Sequence, residues 1–121
     1  ILELGANDML RAIDPKVTRS ALTEIVQRLK ARRIQILLCG MLAPRNLGPE
    51  FTKAFDSIYP DLANQNGLLL YPFFLDGLVG DAKLNQSDGM HPTTAGVAKI
   101  VQGILPSVEE LITRVRTKSP S

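Results

Sequence analysis

The sequence has few of the residues from which metal centres and disulfides are built. It contains one cysteine, one histidine and no tryptophan among 121 residues. A single cysteine excludes an internal disulfide and any multi-cysteine metal site. One histidine and carboxylates scattered along the sequence offer too few ligands for a typical metal site. We therefore expect no metal centre.

Long apolar runs and concentrated charge are scarce as well. No apolar run approaches the ~20 residues that span a bilayer. Lysine and arginine number 14 against 12 acidic residues, and the net charge is +2. Only Lys30, Arg32 and Arg33 form a basic cluster, and aromatic residues make up 5% of the chain. These features argue against nucleic-acid binding. The rest of the composition is that of one globular domain.

Short apolar runs alternate with amphipathic stretches along the chain. Apolar runs predict strands at residues 1–4, 34–40 and 68–74. Helical spacing predicts helices at residues 14–33, at residues 50–66 and from residue 93 or 94 onward. This alternation predicts an α/β fold with a parallel sheet. We expect the domain to occupy residues 1–116 and a tail to occupy residues 117–121.

The predicted helices have apolar faces, and prolines interrupt two of them. The first face comprises Val17, Ala21, Leu22, Ile25, Val26 and Leu29. The last comprises Val97, Ile100, Val101 and Ile104, and then Leu111, Ile112 and Val115. Pro60 predicts a kink or an early end, and Pro106 predicts a break followed by a new helix at Ser107.

Polar residues collect in the loops that follow the predicted strands. Ligands of open parallel sheets bind beyond the carboxyl ends of the strands. The loops at residues 5–11, 41–49 and 76–92 are therefore candidate site regions.

His91, the only histidine, follows Asp88 by three residues. At this spacing the carboxylate can accept one ring N–H, and the other ring nitrogen can then face a nucleophile as general base. The alternative is a surface histidine beside an aspartate that caps a turn. The motif alone leaves both interpretations open.

Asn7 lies in the run Gly-Ala-Asn-Asp, directly after the first predicted strand. An asparagine in this place can direct its side-chain N–H at an oxyanion that develops during acyl transfer. The alternative is an ordinary turn, because Gly, Asn and Asp are the usual residues of turns.

In combination these motifs resemble the SGNH hydrolases, also called the GDSL lipase/esterase family. The branch of arylesterases and lysophospholipase/thioesterases is similar over essentially all of residues 1–112, above all at residues 2–11, 54–60, 72–74 and 88–92. The resemblance implies a flavodoxin-like three-layer α/β/α sandwich. It also implies ester or thioester hydrolysis through an acyl-serine, with no metal or organic cofactor.

The resemblance implies a role for individual residues. Asn7 corresponds to the oxyanion-hole asparagine, His91 to the general base and Asp88 to the acid that orients it. Asp8 corresponds to a structural partner of the asparagine loop. Residues implied as walls of an acyl-binding cleft are Met9, Leu10, Met41 and Pro44.

The nucleophile of the family has no counterpart in this sequence. The family carries it in a Gly-Asp-Ser block that precedes the asparagine block, and no serine here follows Gly-Asp. We expect the serine, together with the first strand or strands, on an N-terminal segment of the same protein. Residues 1–4 would otherwise be an open sheet edge, prone to self-association. The resemblance leaves localisation open, with periplasmic or secreted relatives as the only guide.

Two further interpretations compete with a serine hydrolase. The chain could be a truncated, catalytically silent module that acts in binding or assembly. A flavodoxin-like nucleotide binder would need a glycine-rich phosphate loop after a strand, and none is present. The hydrolase interpretation requires His91 within hydrogen-bond reach of Asp88, and both of them near Asn7 around one cleft.

Overall fold

The computed structural model describes residues 1–118, and these form one layered α/β unit. Its helices are α1 (Ala6–Leu10), α2 (Pro15–Ala31), α3 (Pro49–Asp56), α4 (Ile58–Asn66) and α5 (Thr94–Lys118). Its strands are β1 (Leu37–Cys39) and β2 (Leu69–Tyr71), and a 3-10 turn occupies Arg45–Leu47. Helix α5 extends two residues into the expected tail, and residues 119–121 lie outside the described part.

The sheet is parallel throughout. Leu37 lies opposite Leu69 where β1 pairs with β2. On the other side of β1, Leu2 donates its N–H to the Leu37 carbonyl and accepts the Cys39 N–H, both at 2.9 Å. Residues 1–4, the edge segment, therefore lie beside β1, and the predicted parallel sheet is confirmed.

Helices cover both faces of β1, because successive side chains of a strand point to opposite faces. Leu38 packs with Leu2 and with the α2 residue Val26 in one apolar cluster. Leu37 and Cys39 pack against Ile104 of α5 in another. This arrangement gives the three layers of an α/β/α sandwich, as expected.

Local sequence signals account for most helix ends. Asp14 caps α2 by accepting the Lys16 N–H at 2.9 Å, and Gly67 ends α4 in the left-handed conformation. The interruption expected near Pro60 is present, but it lies at Ser57, between α3 and α4. Proline lacks the N–H that would bind the carbonyl four residues earlier, so the helix ladder breaks one turn before the ring.

The break expected at Pro106 is wrong, because α5 continues through it. Pro106 and Gln102, whose carbonyl loses its helical partner, are both exposed to solvent. Water can therefore satisfy that carbonyl. Ile104 and Val108 pack on the sheet on either side of the proline, which holds the helix together.

Two other expectations need correction. The expected turn after residue 4 is the short helix α1, and the strands are shorter than the apolar runs that predicted them. The apolar faces are only partly buried: Val17 and Ala21 of α2 and Val97 and Val101 of α5 are exposed. Within residues 1–118, no element covers these side chains.

The helices of residues 1–118 differ from membrane spans in length or in apolar content. None of them could cross a bilayer.

Candidate active site

The backbone is fixed tightly where the edge segment turns into α1. Gly5 has a φ of +116°, and a Cβ there would lie 2.2 Å from the Tyr59 hydroxyl oxygen. Only glycine fits this position. The same hydroxyl donates a hydrogen bond to the Leu4 carbonyl at 3.0 Å. Tyr59 thus holds the chain in place at Leu4 and Gly5, just before Asn7.

Asn7 is the second residue of α1, and its side chain is exposed. Among residues 1–118, no group forms a hydrogen bond with its amide. The neighbouring Asp8 carboxylate accepts a hydrogen bond from the buried Thr18 hydroxyl at 2.8 Å, which ties α1 to α2. The Asn7 amide is therefore both anchored through its neighbour and available to a ligand.

His91 lies in a loop that is closed at its base. Asn85 pairs with Pro92 in an antiparallel bridge, and the Gln86 N–H donates to the His91 carbonyl at 2.7 Å. The Asn85 amide also donates to the Leu78 carbonyl at 2.6 Å. Residues 86–91 thus form a compact turn in front of α5.

Asp88 uses both carboxylate oxygens to organise this turn. Oδ1 accepts the N–H groups of Met90 and His91 at 2.9 and 3.0 Å. Oδ2 lies 2.5 Å from Nδ1 of the His91 ring. The backbone hydrogen bond from His91, its ring hydrogen bond and the Met90 N–H lower the pKa of Asp88 well below its ordinary value.

This contact settles which ring nitrogen is free. An ionised carboxylate is an acceptor only, so Nδ1 carries the hydrogen and donates it to Asp88. In neutral His91, Nε2 then keeps its lone pair. The His91 side chain is 70% exposed, and the ring can act as a proton acceptor toward an incoming group. Asp88 thus caps the turn with one oxygen and holds the His91 ring with the other. The two interpretations of the motif therefore do not exclude each other.

The four expected wall residues have different surroundings. Met9 and Met41 are buried in the apolar core, whereas Leu10 and Pro44 are exposed. Asp56 holds the loop of residues 41–48 by accepting the Ala43 N–H at 2.8 Å. As acyl-binding residues all four stay predictions.

The topology brings the candidate groups to one edge of the sheet. Asn7 follows the edge segment, the loop of residues 41–48 follows β1, and the His91 turn lies between β2 and α5. In a parallel sheet these are all carboxyl-end connections. Asp88 and His91 are in direct contact, whereas no hydrogen bond joins Asn7 to either of them in the described chain.

Within residues 1–118, the His91 ring forms its side-chain hydrogen bond with Asp88, and none joins it to a serine, threonine or cysteine. Ser87 is exposed and forms no side-chain hydrogen bond there, and the Ser57 hydroxyl donates to the Ala54 carbonyl. Burial raises the pKa of the Cys39 thiol to about 11, with a further contribution from Glu3, so this thiol stays protonated and inert. The described residues also contain no group of three side chains able to hold a metal ion.

Sequence reasoning missed two residues that position the site, Thr18 and Tyr59. Thr18 precedes Leu22 and Val26 at four-residue spacing, and a polar residue on such an apolar stripe needs a hydrogen-bond partner. That signal was readable in the sequence. The bond from Tyr59 to Leu4 joins residues far apart in the chain, and no local pattern predicts it.

Comparisons with known proteins place the chain among related sequences. The sequence profile of the GDSL-like lipase/acylhydrolase family matches residues 1–99. The chain is 34% identical over 112 residues to esterase TesA of Pseudomonas aeruginosa, covering 93% of this chain and 56% of that protein. It is 33% identical to thioesterase 1/protease 1/lysophospholipase L1 of Escherichia coli K12, covering 93% of this chain and 54% of that protein.

A solved structure shows the same fold. The crystal structure of TesA superposes with a TM-score of 0.83 at 35% identity, over 90% of this chain and 61% of that one. The chain thus spans little more than half the length of the relatives that it matches.

Proposed function

Because the chain belongs to the GDSL-like lipase/acylhydrolase family, we propose that its protein hydrolyses small carboxylic esters or thioesters through an acyl-serine intermediate. The family is one of esterase and lipase-type hydrolases. The observation that carries the proposal is the Asp88–His91 contact, which leaves Nε2 of the only histidine free at the carboxyl edge of the sheet.

The proposed mechanism gives each residue one task. His91 Nε2 takes the proton from the serine hydroxyl as the serine oxygen attacks the acyl carbon. Asp88 accepts from Nδ1 and stabilises the imidazolium that forms. The Asn7 amide donates to the oxyanion of the tetrahedral intermediate. His91 then protonates the departing alkoxide or thiolate, and water repeats the sequence to release the acid.

The nucleophilic serine belongs, in this proposal, to a segment of the same protein outside these residues. No serine of residues 1–118 forms a hydrogen bond with the His91 ring, which supports this placement. The part of the relatives without a counterpart here is 44–46% of their length. A segment of that size is ample for strands, a helix and a nucleophile loop.

The open side of the sheet is where such a segment would bind. The edge segment pairs with β1 on one side only among the described residues, and Ile1 is 68% exposed. Next to it lies a groove of about 360 Å³ between the edge segment, α1 and the α2 residues Ala21, Leu22 and Ile25. A strand added to the edge would place side chains in this groove.

Helix α5 carries a second apolar surface beside the buried one. The β2 side of α5 is marked by Gly103, which lies against the Tyr71 hydroxyl, and by Arg114, which donates to the Gly67 carbonyl. At ~100° per residue the opposite side of the helix points away from β2. The α5 stripe on that side comprises Val97, Val101, Leu105 and Ile112, each 45–53% exposed.

Together the open edge and the α5 stripe fit a strand followed by a helix. The strand would pair with the edge segment, and the helix would pack on the α5 stripe. We assign both surfaces to the absent segment of the same protein. In the alternative, a second copy of the chain covers them, and the mass of the particle in solution would then depend on dilution.

The test is hydrolysis of p-nitrophenyl butyrate by the purified protein and two variants. His91→Ala should abolish turnover and leave the circular-dichroism spectrum unchanged, because the ring is exposed and supports no packing. Ser87→Ala, in the same turn and four residues before His91, is the matched control and should keep full activity. Full activity in His91→Ala would contradict the proposal, and loss of activity in Ser87→Ala would place the nucleophile inside this chain.

A further inference from the structure

A second cleft lies at the amino edge of the sheet, opposite the candidate active site. It has a volume of about 440 Å³ and lies between the end of α2, the end of α4 and the end of α5. Its floor consists of residues 34–36, which precede β1, and Gly67 and Leu68, which precede β2. Its volume is within the ~300–1,000 Å³ range of small-molecule sites.

Four cationic side chains line this cleft: Lys30, Arg33, Arg114 and Lys118. None of its lining residues within the described chain is acidic. The nearest carboxylate partner is Glu110, which lies 3.5 Å from Arg114. Two chain segments far apart in sequence thus each bring two positive charges to one concave surface.

Helix capping explains only part of this cluster. Cations at helix C-termini are favourable because of the helix dipole. Arg114 donates to the Gly67 carbonyl at 3.2 Å and Lys30 to the Asn66 side chain at 3.4 Å, so both serve the end of α4. Arg33 and Lys118 have no hydrogen-bond or ion-pair partner for their side chains among residues 1–118. Their charges are available to a ligand.

We propose that this cleft binds a multivalent phosphate group. Like charges gathered in one cleft repel each other, and an anion of two or more charges relieves that repulsion. Arginine guanidinium groups bind phosphate oxygens in a bidentate manner, and lysines add point charges. The phosphate can belong to a soluble compound or to a lipid headgroup, and the experiment separates these sources.

Arg33 offers a variant that removes a charge without straining the backbone. Arg33 lies two residues after the end of α2, and its backbone is in the left-handed conformation, with φ +58°. Glycine adopts this conformation without steric cost. Arg33→Gly should therefore fold at least as well as the parent chain. Lys53→Ala is the matched control, because Lys53 is exposed on α3 outside the cleft.

Isothermal titration calorimetry with sodium pyrophosphate at constant ionic strength tests the proposal directly. We expect one site per chain. Arg33→Gly should raise its Kd at least tenfold, and Lys53→Ala should raise it less than twofold. Absence of a site in the parent protein would overturn the proposal. An equal loss of affinity in both variants would overturn it as well, since it would indicate non-specific charge attraction.

Sedimentation with vesicles identifies the source of the phosphate. Pelleting with phosphatidic acid vesicles, but not with phosphatidylcholine vesicles, and its loss in Arg33→Gly would assign the cleft to lipid headgroups. Pyrophosphate binding without pelleting would assign it to soluble phosphates. The readout is binding alone, so the result is independent of whether the protein hydrolyses esters.

Discussion

At the residue scale, the site depends on one carboxylate that performs two functions. Asp88 closes its turn with one oxygen and holds the His91 ring with the other. The first function fixes the backbone and the second fixes the tautomer. In the proposed mechanism the His91 ring must be oriented toward its nucleophile, and this orientation is local to residues 88–91.

The lowered pKa of Asp88 leads to a pH prediction. Its pKa is depressed in the folded state. The carboxylate therefore stabilises the turn above its unfolded pKa of 3.8, and this contribution is lost only as pH falls through the lower folded value. A carboxyl-carbon NMR titration should place the protonation midpoint of Asp88 below the ordinary value of 3.8. A midpoint near the ordinary aspartate value would contradict the hydrogen-bonded geometry.

Asn7 gives the second prediction at this scale. Removal of a single oxyanion donor typically reduces kcat by about 10²–10³-fold. We expect Asn7→Ala in the active protein to lose activity in this range with little change in KM. Asn64→Ala is the control, because Asn64 is exposed on α4 away from the carboxyl edge. A similar kcat for both variants would remove Asn7 from the mechanism.

Single residues also show which parts of the site a sequence reveals. Asp88 and His91 are three positions apart, so their contact follows from local turn geometry. Met9 and Met41 were expected at a cleft wall, and their burial depends on tertiary packing that no short pattern encodes. The same holds for Tyr59, whose hydroxyl reaches a carbonyl 55 positions away.

At the element scale, the hydrogen bond between Thr18 and Asp8 connects two helices. Thr18→Val keeps the shape of the side chain but leaves the Asp8 carboxylate without this donor. Loss of a buried hydrogen-bond partner costs about 1–3 kcal/mol. Urea unfolding should show a loss of this size, whereas Thr113→Val, on the exposed side of α5, should change stability little. Equal losses would mean that Thr18 does not anchor α1.

Elements differ in how well local sequence predicts them. The cap at Asp14 and the left-handed Gly67 are local signals, and the structure confirms both. Pro106 carries an equally strong local signal, yet packing of Ile104 and Val108 on the sheet overrides it. Helix α1 is five residues long and too short for a periodic pattern.

At the scale of the whole molecule, exposed apolar surfaces flank the open sheet edge. Val17 and Ala21 of α2 lie on one side, and the α5 stripe lies on the other. The sequence pattern predicts that these apolar faces are buried, but in residues 1–118 they are exposed to solvent. This mismatch between pattern and burial is what the proposed N-terminal segment would remove.

Paired substitutions on α5 test whether the α5 stripe is covered in the active protein. Val101→Lys would bury a charge under the proposed segment, and we expect the Tm to fall by about 5–10 °C. Gln102→Lys, one residue on and facing solvent, should leave it nearly unchanged. Equal Tm values would mean that the stripe is exposed. A dependence of mass on dilution in light scattering, abolished by Val101→Lys, would indicate a second copy instead.

The central claim is that this chain supplies base, acid and oxyanion donor to a serine located elsewhere in the protein. The most direct measurement is to treat the active protein with a fluorophosphonate, which modifies activated serines, and to map the adduct by peptide mass spectrometry. We predict an adduct on a Gly-Asp-Ser peptide outside residues 1–121 and no adduct in His91→Ala. An adduct on a serine within residues 1–121, or one that persists without His91, would contradict this account.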